Sequence, residues 1–375
     1  LFGYSLAFGP DKGGLIGGLE WVGLSGVGSE PHPVYGPTIP HQAFMLFQLM
    51  FAAIAPALIT GAFAERKRFT SVILFAALWS VFVYVPLAHW IWGGGWLAKL
   101  GALDFAGGAV IHISSGAAAL VCAIVLGKRR GYGTDYMAPH NLPMTLLGTG
   151  FLWFGWFGFN GGSALGANGI AVSAIIATHA AAAMGAIAWC GAEWAHRGKP
   201  TVLGVASGAV AGLATVTPAA GYIAPMSAIA IGLVAGMTCY AAIVWKGRFG
   251  YDDSLDVVGI HGVGGVIGIL ATGLFASKVV NPGGADGLFF GNPGLFGIQL
   301  LVAAVTTIFS IVGTFVILKL VDSMTGLRVS SEEEATGLDL SNSLNSSRCA
   351  AIDRIASLWS VVMPSAATSP FAIPL

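Results

Sequence analysis

The chain is 375 residues long and 55% hydrophobic, yet only 9% of it is Asp, Glu, Lys or Arg, with 17 acidic and 17 basic side chains balancing to zero. A soluble domain carries roughly 25% charged residues, so water cannot be the solvent for most of this surface, and the balanced charge argues against a nucleic-acid partner. Gly, at 55 residues, is out of place in soluble helices but expected between membrane helices, where small residues let backbones approach closely.

From the N-terminus, "LFGYSLAFG" beginning at Leu1 reads as the closing part of an apolar helix without a signal peptide, so the expectation is a chain shortened at its start. A membrane-spanning helix needs about 20 apolar residues. Nine segments meet that requirement: 43–64, 70–88, 107–127, 142–161, 169–192, 202–217, 222–245, 257–276 and 295–320. Residues 1–8 would be part of a tenth, and 202–217 is the shortest full segment and is threaded with Gly.

Charge falls in the connections. Arg66, Lys67 and Arg68, then Lys128, Arg129 and Arg130, then Arg197 and Lys199, then Lys246 and Arg248 occupy alternate loops, whereas the opposite loops carry Lys12, Lys99 and Lys278. The positive-inside rule makes the basic loops cytoplasmic, together with the tail after residue 321. The opposite connections are rich in Gly, Pro and Trp, as in "HWIWGGGWLAKLGALDFAGG" over 89–108, where Trp90, Trp92 and Trp96 fit either an interfacial aromatic belt or a site. Of the four cysteines, Cys122, Cys190 and Cys239 lie in apolar runs and Cys349 in the tail; no CxxC pair exists, so neither a disulfide framework nor a structural zinc site is expected.

Ionisable groups inside apolar segments are costly and are functional candidates by default. His112 lies in "GGAVIHISSGAAAL", His261 in "DVVGIHGVGGVIGIL" and His179 in "IIATHAAAA". Two of them share a context. Asp104 and Asp253 stand eight residues before His112 and His261, and Gly116 and Gly265 stand four residues after them. The loop charges make these two helices run in opposite directions, as in an inverted-topology repeat whose sites gather near the bilayer midplane. His112 and His261 are therefore expected to face each other, while His179 has no counterpart and reads as structural. Asp104 reads as a helix-capping carboxylate that also steadies backbone carbonyls at a cation site. A cation entering such a path must lose its water, at an idealised cost of tens of kcal/mol, against about 2 kcal/mol returned by a desolvated cation–π contact. Aromatic rings at a mouth can recruit a cation but cannot carry it through; a neutral molecule can pass, and paired histidines can hydrogen-bond it and relay a proton.

The stretches "AHWIWGGGWLAKLGALDFAGGAVIHISSGAAALV", "PHNLPM", "GWFGFNGGSALGANGIA", "GKPTVLGVASGAVAGLATVTPAAGYI", "DVVGIHGVGGVIGILATGLFA" and "GLRVSSEEEATGLDLS" resemble the Amt/Mep/Rh ammonium transporter family, its bacterial Amt-like branch in particular, over roughly residues 1–341. The resemblance implies an all-α fold: a polytopic membrane helix bundle of two inverted five-helix repeats and a last long helix, with nine complete spans and part of a tenth in residues 1–321. A cytoplasmic region would follow at 322–341, then an atypical tail at 342–375, expected to be disordered. It implies no enzyme and no cofactor, but an ammonium and ammonia transporter of the plasma membrane, assembled as a homotrimer with one pore per subunit. Carried over by motif, Trp92 and Ser163 resemble the outer recruitment site, with Phe51 as one wall and Asp104 in support. Phe51 and Phe159 look like the stacked gate, His112 and His261 like the twin-histidine pair, and Trp156, Ser207 and Thr217 like further pore positions. The resemblance implies a PII-type signal protein as a partner through the family's short tail, but after "GLDLS" an unrelated sequence stands in place of that tail, which puts this partner in doubt. The alternatives are an ammonium receptor, a gas channel of the Rh type, and a membrane protein using His112 and His261 as the two axial ligands of a haem.

Overall fold

In lipid every backbone N–H and C=O must be paired within the protein, which leaves helices as the economical way for apolar segments to cross. The computed structural model describes residues 2–343, and among these eight helices are long and apolar enough to span: His41–Thr60, Phe69–Lys99, Gly108–Leu126, Leu142–Gly161, Gly169–Arg197, Pro225–Phe249, Val258–Phe275 and Pro293–Thr325. A ninth apolar helix, Val202–Val216, has 15 residues, and the short helix Gly3–Phe8 stands at the position of the partial tenth. Each segment marked by hydropathy is thus a helix. Local chemistry sets several of their starts: Asn141, Asn168 and Thr201 accept a first-turn amide with their side chains, and Pro225 and Pro293 occupy first positions where no N–H is needed.

The tail of 342–375 lies, from residue 344 onward, outside the described residues. The chain through Leu327 forms one compact unit. From Arg328 a second begins, with short helices Ser331–Thr336 and Leu338–Ser343, the first opened by a reciprocal Ser330–Glu333 capping box. The connection before His41 holds two small antiparallel ladders, Asp11–Lys12 with Ile16–Gly17 and Pro31–His32 with Gly36–Pro40, for which hydropathy gives no sign.

Burial ranks the spans. In the most apolar 18-residue stretch of each, 83% of residues are buried in Gly108–Leu126 and 56% in Val258–Phe275, against 6% in Leu142–Gly161, so the two histidine-bearing helices sit at the centre and the Leu142 helix at the edge. Small residues let Gly169–Arg197, Val202–Val216 and Pro225–Phe249 pack closely, with Gly208 and Gly236 both against Gly185. Gln299 of the long last helix binds both backbone groups of Leu103 (3.1 and 2.7 Å) and so fixes the loop leading into the Gly108 helix.

The basic loops are not simply solvated, as a charge count alone suggests. Arg66 is fully buried and donates to the carbonyls of Gly127, Ala62 and Asp252 and to Ser254. Arg129 forks onto Asp252 at 2.9 Å from both Nε and Nη2. Lys67, 2% exposed, lies over the rings of Phe63 and Phe75 (4.2 and 3.8 Å), and desolvation lowers its pKa to about 8. Much of the charge expected in the loops is therefore built into a buried clamp between the ends of three spans.

Candidate functional site

The centre of the bundle forms where the Gly108–Leu126 and Val258–Phe275 helices cross. Both begin with wide π-helical turns, Gly108–Ile113 and Val258–Val263, and each turn holds one of the paired histidines. Such turns add a residue to the helix and re-aim a side chain, and they recur at functional sites. Glycines four residues after each histidine complete the crossing. A Cβ on Gly116 would overlap the backbone of Gly262, and one on Gly265 would lie 2.9 Å from the Ile113 nitrogen and 3.0 Å from the His112 Cβ. Each glycine thus admits the opposite helix at its histidine turn.

The result is a buried imidazole pair. Nδ1 of His112 and Nδ1 of His261 are 3.2 Å apart, and the rings stand 5.1 Å apart at 24°. One nitrogen must carry the hydrogen that the other accepts, so the two neutral rings are opposite tautomers sharing one proton. Nε2 of His112 is buried without a hydrogen-bond partner. Trp156 and Phe159 flank the His112 ring at 5.6 and 6.1 Å, nearly parallel to it. The indole of Trp156 is anchored by donating to Thr217 Oγ1 at 2.9 Å.

Above this pair lies an aromatic barrier. Phe51 and Phe159 contact each other at 4.5 Å between ring centres, and Phe159 sits in a third π-helical turn, Phe157–Gly161. Phe51 also packs edge-on against Trp92 at 5.6 Å. Beyond these rings opens a cavity of ≈ 600 Å³ whose wall includes Phe51, Trp92, Asp104 and Ser163. Trp92 donates its indole N–H to the carbonyl of Asp104 (2.8 Å), and Ser163 donates to the carbonyl of Phe159 (2.9 Å), leaving the indole face and the hydroxyl lone pairs for a guest.

Asp104 caps the helix from three residues before the N-cap position, which Gly107 holds at φ 112°. The Asp104 carboxylate reaches further, accepting the amides of Gly107 and Gly108 on Oδ1 (2.8 and 2.7 Å) and of Ala109 and Val110 on Oδ2 (2.8 and 3.2 Å). All the unpaired amides at the start of the His112 helix are spent on one buried side chain, which holds the Asp104 carbonyl, and through it the Trp92 ring, in place.

A family model described as Ammonium Transporter Family matches residues 1–345. The ammonium transporter of Bacillus subtilis (strain 168) is 54% identical over 341 residues, covering 91% of this chain and 83% of that protein. Ammonium transporter Amt1 of Archaeoglobus fulgidus is 52% identical over 340 residues, covering 91% and 84%. The crystal structure of Saccharomyces cerevisiae Mep2 matches with a TM-score of 0.83 at 38% identity, over 88% of this chain and 76% of that one. The chain belongs to the ammonium transporter family. It is a multi-pass membrane protein with that family's fold.

Within this family fold, nine of the ten site residues picked out by sequence stand in one connected column: Ser163, Trp92 and Asp104 at the outer cavity, Phe51 and Phe159 below, then Trp156 with Thr217, then the histidine pair. Ser207 is half-buried on the helix of Thr217, ten residues or about 15 Å of helix rise nearer the basic loops. The cavity wall also contains Gln48, Phe105, Tyr222 and Asn281, none of which the sequence distinguished. Phe105 and Tyr222 meet edge-on at 5.5 Å where Gly221 leaves room, a contact between loops far apart in the chain and without a local pattern. His179, read from the sequence as structural, is exposed on its helix beside Trp153 at 5.4 Å. The haem alternative does not fit the geometry. An iron between two axial nitrogens at about 2 Å each needs them some 4 Å apart across a porphyrin plane, whereas these nitrogens stand 3.2 Å apart in direct contact.

Proposed function

We propose that the chain transports ammonium across the plasma membrane, with the Arg66 and Arg129 face and the tail cytoplasmic, by separating the proton from ammonia. The cation is received in the outer cavity by the Trp92 face, the Phe51 edge and the Ser163 hydroxyl. Nothing beneath could replace its water: Phe51 and Phe159 are apolar, and the carboxylate nearest to the entrance, Asp104, is already saturated by four amides. Ammonia therefore goes on alone past the two rings, and the proton passes through the imidazole pair. The observation that carries this reading is the direct Nδ1–Nδ1 contact of His112 and His261 at 3.2 Å, buried beneath an aromatic barrier. Potassium, having no proton to give up, is rejected.

Replacing the pair as His112→Asp with His261→Ala tests the reading in reconstituted vesicles. Proton-coupled, ammonium-evoked current should vanish and exclusion of potassium should relax. Full current with potassium still excluded would move selection wholly to the outer cavity.

The working unit we propose is a homotrimer. In the most apolar stretch of the Leu142–Gly161 helix only 6% of residues are buried, and the neighbouring Gly169–Arg197 helix carries His179 exposed on its surface. An imidazole halfway along a span is poorly served by lipid, so a second copy of the chain covering this face supports the assembly.

A further inference from the structure

The two aspartates of the inverted motif are equivalent in sequence and unequal in structure. Asp104, on the outer side, has both oxygens filled by four amides. Asp253, on the basic side, is equally buried; its Oδ2 accepts the amide of Val258 at 2.7 Å, and its Oδ1 has no hydrogen-bond partner. The cations around it are engaged elsewhere. Lys246 donates to the backbone carbonyl of Asp253 (2.9 Å) and to Asp256 Oδ1 (2.5 Å). Arg129 is forked onto Asp252, and Arg66 binds the Asp252 carbonyl and Ser254. A buried carboxylate oxygen with nothing bonded to it is costly, and of the three acidic side chains in 252–256 only Asp253 bears one. It caps the helix that carries His261 through the amide of Val258, which stands three residues, or about 5 Å of rise, before that histidine.

We propose that Asp253 is the inner proton-exchanging group of the transporter, its Oδ1 taking up the proton that leaves the histidine pair toward the basic face. This rests on the reading of that pair as a relay. An N–H bond of the imidazolium breaks and an O–H bond forms on Asp253, with water as carrier because the gap exceeds a hydrogen bond. The imidazole returns to neutrality, and the carboxyl then releases its proton to inner water. Asp104, its lone pairs committed, cannot do this on the outer side, so the inverted repeat is chemically polarised.

The setting suits the role. Burial, with the charge of Asp256, raises the Asp253 pKa to about 6, against the lowering pull of the Val258 amide, Lys246 and the Val257 amide. The other titratable groups within its electrostatic reach are Tyr251, and Cys122 on the opposite helix. A carboxyl in this range loads and unloads near neutral pH.

The test uses the full-length transporter in proteoliposomes, with ammonium-evoked current recorded at inner pH from 5 to 8. Asp253→Asn keeps an oxygen for the Val258 amide and cannot ionise. The current should fall on the order of a hundredfold and lose its dependence on inner pH, which in the parent declines as Asp253 becomes protonated. Asp256→Asn, which removes a like charge and frees Lys246 toward Asp253, should keep the current and move its inner-pH midpoint to more acid values. An unchanged current and pH profile in Asp253→Asn, or an unmoved midpoint in Asp256→Asn, overturns the proposal. The His112→Asp, His261→Ala protein run beside them separates the two readings. If it loses current while Asp253→Asn does not, the relay stands and its inner exit lies elsewhere; if it conducts like the parent, the relay itself fails.

Discussion

At the scale of single residues, the outer cavity works through groups whose own hydrogen bonds are already made. Trp92 has spent its N–H on the Asp104 carbonyl and Ser163 its hydrogen on the Phe159 carbonyl, so what remains is a π face and lone pairs, suited to a small cation. Trp92→Leu should weaken ammonium binding by about 2 kcal/mol, roughly thirtyfold in half-saturation, with maximal flux less affected. Ser163→Ala should act in the same direction with a smaller effect, since it removes one acceptor. Concentration dependence of uptake checks both, and an unchanged half-saturation in both variants contradicts the cation site. The aromatic residues were legible because motif resemblance carries them one by one. Gln48 and Asn281 were not, because neither has a local pattern that marks it: Gln48 reaches the cavity from the His41–Thr60 helix and Asn281 from a connection far away in the chain.

At the scale of elements, the histidine contact depends on how closely two helices can cross. Gly116 and Gly265 are positioning residues: each occupies the point where the opposite helix brings in its π-helical turn. Gly116→Ala would place a methyl into the Gly262 backbone, and a backbone cannot yield as a flexible side chain can. The cost is expected at about 1–3 kcal/mol of stability, read as a lower temperature of detergent-solubilised unfolding. The helices should also part enough to open the 3.2 Å nitrogen contact. Ammonium-evoked current should then fall by more than the binding affinity at the outer cavity changes. A variant with parental stability and current would show that the crossing tolerates a wider gap. The spacing of Asp, His and Gly was visible in the sequence twice over, but what the glycine is for appears only once the second helix is in place.

At the scale of the whole molecule, orientation and assembly follow from where charge and exposed polarity fall. His179 lies ten residues into the Gly169–Arg197 helix, or about 15 Å deep, half of a hydrocarbon core of roughly 30 Å. A spin label on a cysteine at that position, in a background lacking the native cysteines, should be shielded from dissolved oxygen in the bilayer when a second copy covers the face. Lipid-like oxygen accessibility there would remove this face from the subunit interface. Orientation is checked by single-cysteine labelling. A position in the 128–141 loop should react only with reagent on the cytoplasmic side, and reaction from outside would invert the topology.

Hydropathy by itself determined the spans, because a lipid solvent forces every apolar run of sufficient length into a helix, and each of the nine segments is one. Alternation of Lys and Arg ordered those helices into two opposed halves, and the repeated Asp–His–Gly spacing singled out the imidazole pair. Other features depended on which side chains the folded bundle brings together, and no local pattern encodes that. The wide turns that aim the histidines arise where crossing helices leave room for an extra residue. Arg66 and Lys67, which look like solvated loop charges, become buried because three helix ends converge on them. Asp104 and Asp253, identical in spacing, differ because the helix start that follows one turns four amides onto its carboxylate while the helix start that follows the other offers the amide of Val258 to one oxygen and leaves the second without a hydrogen-bond partner.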